Sequence, residues 1–507
     1  MPSKIYSCAL RGIEAYGVEI EVDILNGLPR LMVVGLGDAA IQESKERVRS
    51  AIVNSGGQFP SRRKIVNLAP ADTRKHGPSF DLPIAVGLLV ASGQLPPESV
   101  EGALFVGELS LNGTLKPVNG SLSYAFFAKT NGFHSLYLPE ANRDEALLIS
   151  GIQIIAISNL QQLIAHLSGK NRLKPRVQTM DSKIQSSPRS SGAPYPAPLL
   201  RGDPKAIRAL SIAAAGSHHL LLWGPPGSGK TLLAHQLPCL LPPLAEAECL
   251  ELTQIYSAAG LLSSKQPLIQ KRPFRSIHHT ASSVALVGGG STVRPGEISL
   301  AHRGVLFLDE IPEFPRSLLE TLRQPLEQKQ ITLARASGTV TFPSHFTLIA
   351  AMNPCPCGYA GDDRKRCRCT PQEQRRYSHR LSGPLLDRID LFVEMPRLSF
   401  EDFYESPEVE DYGKTYEKIL RARELQAKRF GNALKLNTDM SPGDVQTWCG
   451  LSGQLTTLLR EATERLGLSA RGTHRVLKVA RTLADMEGVE RIEEAQLLEA
   501  LQYRSKS

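Results

Sequence analysis

Hydrophobic and polar positions alternate with a period of two along Val18-Glu19-Ile20-Glu21-Val22-Asp23-Ile24, which predicts a strand buried on one face. Ala39 to Asn54 reads as a helix and Ile65 to Leu68 as a second strand, so residues 1–168 form an α+β domain. From Gly169 to Pro198 apolar periodicity vanishes into Lys, Ser and Pro, and 169–198 is expected to be a flexible basic linker. Beyond it come short apolar runs, Leu220–Trp223 and Val305–Leu308, the second as a buried central strand requires, and a third strand, Phe346–Met352. Two β-prone runs around Ala336-Ser337-Gly338, within Gln330–Phe342, predict a hairpin. After Pro396 the chain turns helical: Tyr416 to Phe430, an N-cap at Ser441 with Pro442 following, then helices near 452–466, 469–486 and 491–503.

A chain of 507 residues with 41% hydrophobic content is too long for one core and suggests several domains, with 199–395 and 396–507 as the second and third. The formal charge of +9 permits a nucleic-acid partner without requiring one. Its local distribution is more pointed, since Arg364, Lys365, Arg366, Arg368, Arg375, Arg376 and Arg380 cluster against an acidic stretch from Glu401 to Asp411. No apolar run approaches bilayer length and no signal-peptide core opens the chain, so a cytoplasmic protein without a membrane partner is expected. Of the cysteines, Cys8, Cys239, Cys249 and Cys449 are scattered, while the rest cluster, which in a reducing compartment favours metal over disulfides.

The candidate chemistry begins directly after Leu220–Trp223. Gly224-Pro225-Pro226-Gly227-Ser228-Gly229-Lys230-Thr231 is a Walker A loop, whose backbone N–H groups cradle phosphates. Lys230 is expected to reach the β- and γ-phosphates of ATP and the Thr231 hydroxyl to sit on Mg²⁺. The second apolar run ends in Asp309-Glu310, with Asp309 as the other metal ligand and Glu310 polarising the attacking water. The third delivers Asn353, an amide suited to orienting that water, and Pro384-Leu385-Leu386-Asp387-Arg388-Ile389-Asp390 supplies an arginine that an oligomer can lend to its neighbour.

These pieces in this order resemble the AAA+ ATPase family. The resemblance implies that Asn353 is sensor 1 and Arg388 the arginine finger, in a ring whose sites lie between subunits. In the N-terminal part, Lys75-His76-Gly77-Pro78-Ser79-Phe80-Asp81 and Gly107-Glu108-Leu109 resemble the proteolytic domain of Lon-type proteases, which has an S5-like fold. Ser79 falls at the nucleophile position, but the lysine position is Leu122, so a non-proteolytic role is expected, with Lys75 and Lys116 as the only nearby substitutes. The fold class is therefore α/β multidomain: an N-terminal S5-like α+β domain, an AAA+ αβα core and a C-terminal helical lid.

Gly288-Gly289-Gly290, before Arg294, can hardly hold a helix and predicts a mobile loop. His278 and His279 are adjacent, and neighbouring side chains point apart on most backbones, which argues against a metal there. The glycine-rich insertion and the hairpin together look like the branch containing MCM helicases and the magnesium-chelatase ATPase subunit. That resemblance places Arg335 at a basic hairpin tip that tracks DNA, with Arg294 as a second DNA candidate, and makes Arg471 sensor 2, with Arg475 as its alternate. Cys355, Cys357, Cys367 and Cys369 form two Cys-x-Cys pairs across a short basic loop and can supply four thiolates to one zinc ion, Zn²⁺.

The complete order resembles the magnesium-chelatase-like family that includes bacterial competence proteins. It implies a homo-hexameric, ATP-driven helicase acting on single-stranded and branched DNA, promoting branch migration during recombination in natural transformation. A chelatase motor and a Lon-like ATP-dependent protease are the alternatives.

Overall fold

The computed structural model describes residues 2–177, 203–263, 265–290, 293–335, 338–362, 365–397 and 411–504. Most of the expected linker, the hairpin turn at Ala336-Ser337, Arg364 and nearly all of the acidic stretch lie outside the described residues.

The alternating segment belongs to the strand Glu14–Leu25, with Val18, Ile20 and Val22 buried and Glu21 exposed. It joins a seven-stranded sheet ordered Arg30–Val34, Arg63–Ala69, Glu14–Leu25, Ser3–Arg11, Ala103–Phe105, Ser135–Pro139, Gln153–Ile157. The helix Ala39–Asn54 starts at Asp38, whose side chain accepts from Ile41 N, and buries Ile41, Ser44, Val48, Ala51 and Ile52 along one stripe. The N-terminal unit runs past 168, because Arg176 pairs with Ile154 and Leu173 N donates to His166 Nδ1.

The next unit is a five-stranded parallel sheet ordered Phe274–Ile277, Val305–Leu308, Thr347–Met352, Leu220–Trp223, Leu391–Glu394. Its strands divide their side chains by the period of two. Leu220, Leu222, Val305, Phe307, Ile349 and Ala351 enter one core, while Leu221, Leu306, Leu308, Leu348 and Ala350 enter another on the opposite face. The first of these cores also contains Val476, Val479, Ala480 and Leu483 from the helix Ala470–Glu487. The C-terminal helices thus share a core with the sheet. Ser441 caps Pro442–Trp448 by accepting from Asp444 N.

The N-terminal domain rests on this second unit. Gln254, in the helix Glu246–Ala259, donates to Ile13 O at 3.0 Å and to Ser123 Oγ at 3.2 Å, and Ser257 bonds Glu145. Gly12 has a φ of 72°, and a Cβ there would lie 2.4 Å from Val340 Cγ1 in the hairpin. Among the described residues no helix is long and apolar enough to cross a membrane.

Candidate nucleotide and nucleic-acid site

Because the sheet is parallel, its strands end together at one edge, where ligands of such sheets bind. Leu220–Trp223 ends there in the glycine-rich loop. Gly227 and Gly229 carry it through the left-handed region at φ 82° and 81°, a conformation that side chains disfavour, and the helix Lys230–Ala234 follows. Lys230 Nζ lies across the loop, donating to Gly224 O at 2.7 Å, Pro225 O at 2.9 Å and Ser228 Oγ at 3.3 Å. Burial pulls its ammonium down to about 8, against the opposing pull of Asp309 and Glu310.

Thr231 Oγ1 donates to Asp309 Oδ2 at 3.0 Å, although the two are 78 residues apart. The strand Val305–Leu308, buried along its whole length, makes that contact by ending beside the loop. Hydroxyl and carboxylate thus face one another as a divalent-cation pair requires. Glu310 takes a left-handed φ of 50°, and its Oε2 lies 4.0 Å from His279 Nδ1. The two histidines do not point apart: their ring centroids are 4.0 Å from each other. His279 stands beside the Glu310 carboxylate while His278 Nδ1 is 2.9 Å from Thr280 Oγ1, a placement that their spacing does not announce.

Asn353 follows Thr347–Met352 at the same edge and leads straight into the cysteine loop. The four thiols lie within 4.8 Å of one another, with Cys355–Cys357 at 3.4 Å and Cys367 at 3.6 Å from both. Arms of ~2.3 Å to a tetrahedral zinc give an edge of roughly 3.8 Å, whereas a disulfide needs ~2.05 Å, so the set fits a metal and no sulfur pair is bonded. Gly358, φ 84°, packs on the phosphate loop, since a Cβ there would be 2.7 Å from Pro226 Cδ.

Arg388 lies elsewhere. It precedes Leu391–Glu394, so it sits at the opposite edge of the sheet from Lys230 of its own chain. Its side chain is 5% exposed and bonds Glu327 and Pro384 O. Arg471 Nη1 reaches the same Glu327 oxygen at 3.5 Å while remaining 71% exposed. Arg475 pairs with buried Asp390 and donates to Arg388 O at 2.9 Å, bracing the arginine turn from behind. Glu327 was invisible in the sequence because no local spacing connects it to either arginine.

The hairpin pairs Gln330–Arg335 with Gly338–Pro343. The glycine triplet differs from the free loop expected: Gly288 and Gly289 pair antiparallel with Pro295 and Arg294. A Cβ at Gly288 would meet Arg294 O at 2.4 Å, so glycine at this φ of 100° serves a close backbone approach there. Arg335 Nη2 would stand 2.9 Å from a Cβ at Gly289, which brings the exposed Arg335 and Arg294 onto neighbouring strands of two adjacent loops. In the N-terminal domain Leu122 is buried, Lys75 turns its ammonium to Pro70 O, and Lys116 lies 3.7 Å from Glu108.

A sequence profile described as magnesium chelatase, subunit ChlI, matches residues 199–403, one described as subunit ChlI of Mg-chelatase matches 20–142, and one described as magnesium chelatase, subunit ChlI C-terminal, matches 410–504. The competence protein ComM of Haemophilus influenzae is 41% identical over 506 residues, covering 99% of this chain and 97% of its own. The chain belongs to the ChlI-type magnesium-chelatase family. YifB of Escherichia coli is another full-length ChlI-type relative, 42% identical over 506 residues with 99% and 97% coverage. Lon protease 2 of Bacillus subtilis is 30% identical over 114 residues, 22% of this chain and 20% of its own. Membership of this AAA+ ATPase family implies ATP and Mg²⁺ at the Walker A edge.

Proposed function

We propose that this protein is a ring-forming ATPase that translocates on single-stranded and branched DNA and drives branch migration when transforming DNA is recombined, acting as a cytoplasmic homo-hexamer. The competence role comes from the ComM relative. Lys230 and the loop amides bind the nucleotide phosphates, Glu310 takes a proton from the attacking water, and Asn353 orients that water. Thr231 and Asp309 would hold Mg²⁺, which supplies charge neutralisation on the phosphates when bound. Arg388 and Arg471 share Glu327 at the edge remote from their own Lys230, an arrangement suited to serving the site of the next subunit. Cys355, Cys357, Cys367 and Cys369 would hold zinc, whose chemistry here is structural, and metal analysis of the purified protein tests that ligand set.

The observation that carries the DNA reading is that Arg335 reaches Gly289, the strand partner of Arg294, which supports two exposed guanidinium groups on adjoining loops suited to following a phosphate backbone. Contacts of this kind make binding tolerant of sequence and sensitive to salt. Hydrolysis measured with and without single-stranded or branched DNA tests the proposal. Wild type is expected to be stimulated, Arg335→Ala and Arg294→Ala to lose most of the stimulation while keeping basal turnover, and Lys230→Ala to lose both. A wild-type rate indifferent to every polynucleotide refutes it.

A further inference from the structure

A cavity of about 360 Å³ opens at the edge of the parallel sheet opposite the Walker A loop. Its floor is made by Ser217 and His219, which precede Leu220–Trp223, and by Ser344, His345 and Phe346, which precede Thr347–Met352. The lid closes it from above with Thr438–Met440 and with Arg475 and Lys478 of the helix Ala470–Glu487. A strand of four residues, about 13 Å at the rise of an extended chain, separates it from the nucleotide edge.

The charges around the cavity do not balance. Its two lining carboxylates are already engaged: Glu327 with Arg388 and Arg471, and Asp439 with Lys329. Arg475 is matched by Asp390 from behind. Lys478 has only the carbonyl of Thr438, at 2.9 Å, and forms no ion pair among the described residues. Burial, the largest influence on it, holds its ammonium below the ordinary lysine value.

The neutral donors point the same way. Arg303 Nη1 lies 3.0 Å from His345 Nδ1, and since a guanidinium can only donate, Nδ1 accepts and the ring proton sits on Nε2. That Nε2–H has Asp439 no nearer than 3.7 Å, beyond hydrogen-bond range. Burial, together with Lys329 and Arg303, keeps this imidazole well below its ordinary value and therefore neutral. Ser344 Oγ is buried and has no hydrogen-bond partner. A buried hydroxyl without a partner is costly unless a ligand or water satisfies it.

We propose that this cavity is a second anion site, taking a phosphate monoester no larger than a mononucleotide, with Lys478, Ser344 and His345 holding the phosphate oxygens. An ammonium lacking a carboxylate, an imidazole N–H and a hydroxyl are the donor set that a tetrahedral oxyanion accepts, and the ammonium and the N–H offer a cation no lone pair. The volume exceeds what inorganic phosphate fills and lies at the small end of ordinary ligand pockets, roughly 300–1,000 Å³.

Isothermal titration of full-length Lys230→Ala protein, in which the Walker A lysine is gone, with AMP and separately with inorganic phosphate tests the site. Saturable binding of AMP or phosphate is expected, weakened at least tenfold by adding Lys478→Gln and restored by Lys478→Arg. Tighter binding of AMP than of phosphate identifies the ester, and equal binding identifies the free anion. Ser344→Ala removes one hydroxyl that no protein group uses, and it decides the matter if Lys478→Gln does not fold. The proposal is overturned if neither anion binds at millimolar concentration, or if folded Lys478→Gln or Ser344→Ala protein binds as the parent does.

Discussion

Lys230 carries its charge in a place where burial works against it, with two loop carbonyls standing in for the solvent it has lost. A polyanion beside the ammonium stabilises the charged form, so the value of about 8 must rise when phosphates bind. The bound protein then holds a proton that the free protein has released above pH 8. Nucleotide affinity is accordingly expected to be level below about pH 7 and to fall by up to tenfold per unit as pH climbs past 8. Titration calorimetry at pH 7 and 9, in buffers of different ionisation enthalpy, reads the proton taken up; no uptake at pH 9 contradicts this reading. The loop residues were legible because their relation is written in adjacent positions: strand, glycines, lysine, helix. Glu327 and the His279–Glu310 approach were not, since each depends on which segments the fold brings side by side.

Among elements, the cysteine loop is seated directly on the phosphate loop. Gly358 meets Pro226 at a left-handed φ of 84°, so a methyl group there both strains the backbone and presses on the Walker A turn. Gly358→Ala is expected to raise the KM for ATP severalfold with a smaller change in kcat, and chelation of a zinc held by the four cysteines is expected to do the same. Steady-state kinetics on both preparations check this, and an unchanged KM in each shows that the loop does not support the nucleotide. The helix Ala39–Asn54, the cap at Ser441 and the hairpin were readable because their periodicity and end residues are local. The pairing of Gly288 and Gly289 with Pro295 and Arg294 was not readable, because a glycine in an open loop and one in a close backbone approach look alike in a sequence.

At the scale of the molecule, one edge of the sheet carries Lys230, Thr231 and Asp309, and the other carries Arg388, with Arg471 sharing its Glu327. A head-to-tail ring joins such unlike edges at every boundary. Arg388→Ala and Lys230→Ala subunits should each be nearly inactive alone. Mixed in equal amounts they should regain hydrolysis, since about a quarter of random boundaries then join an intact lysine to an intact arginine. Measured turnover of the mixture, compared with the parents, decides; no recovery places the arginine outside its neighbour's site. The change from alternating positions to continuous apolar runs to helical periods was visible in the sequence, but the core shared by the parallel sheet and the C-terminal helices was not, because burial between distant segments leaves no period to read.

The N-terminal domain touches the second unit through neighbouring residues: Ile13 O accepts from Gln254 of the helix Glu246–Ala259, and the adjoining Gly12 lies bare under Val340 of the hairpin. One short turn therefore joins helix and hairpin at a single spot, and a side chain added at Gly12 would wedge the hairpin away from the turn that the helix holds.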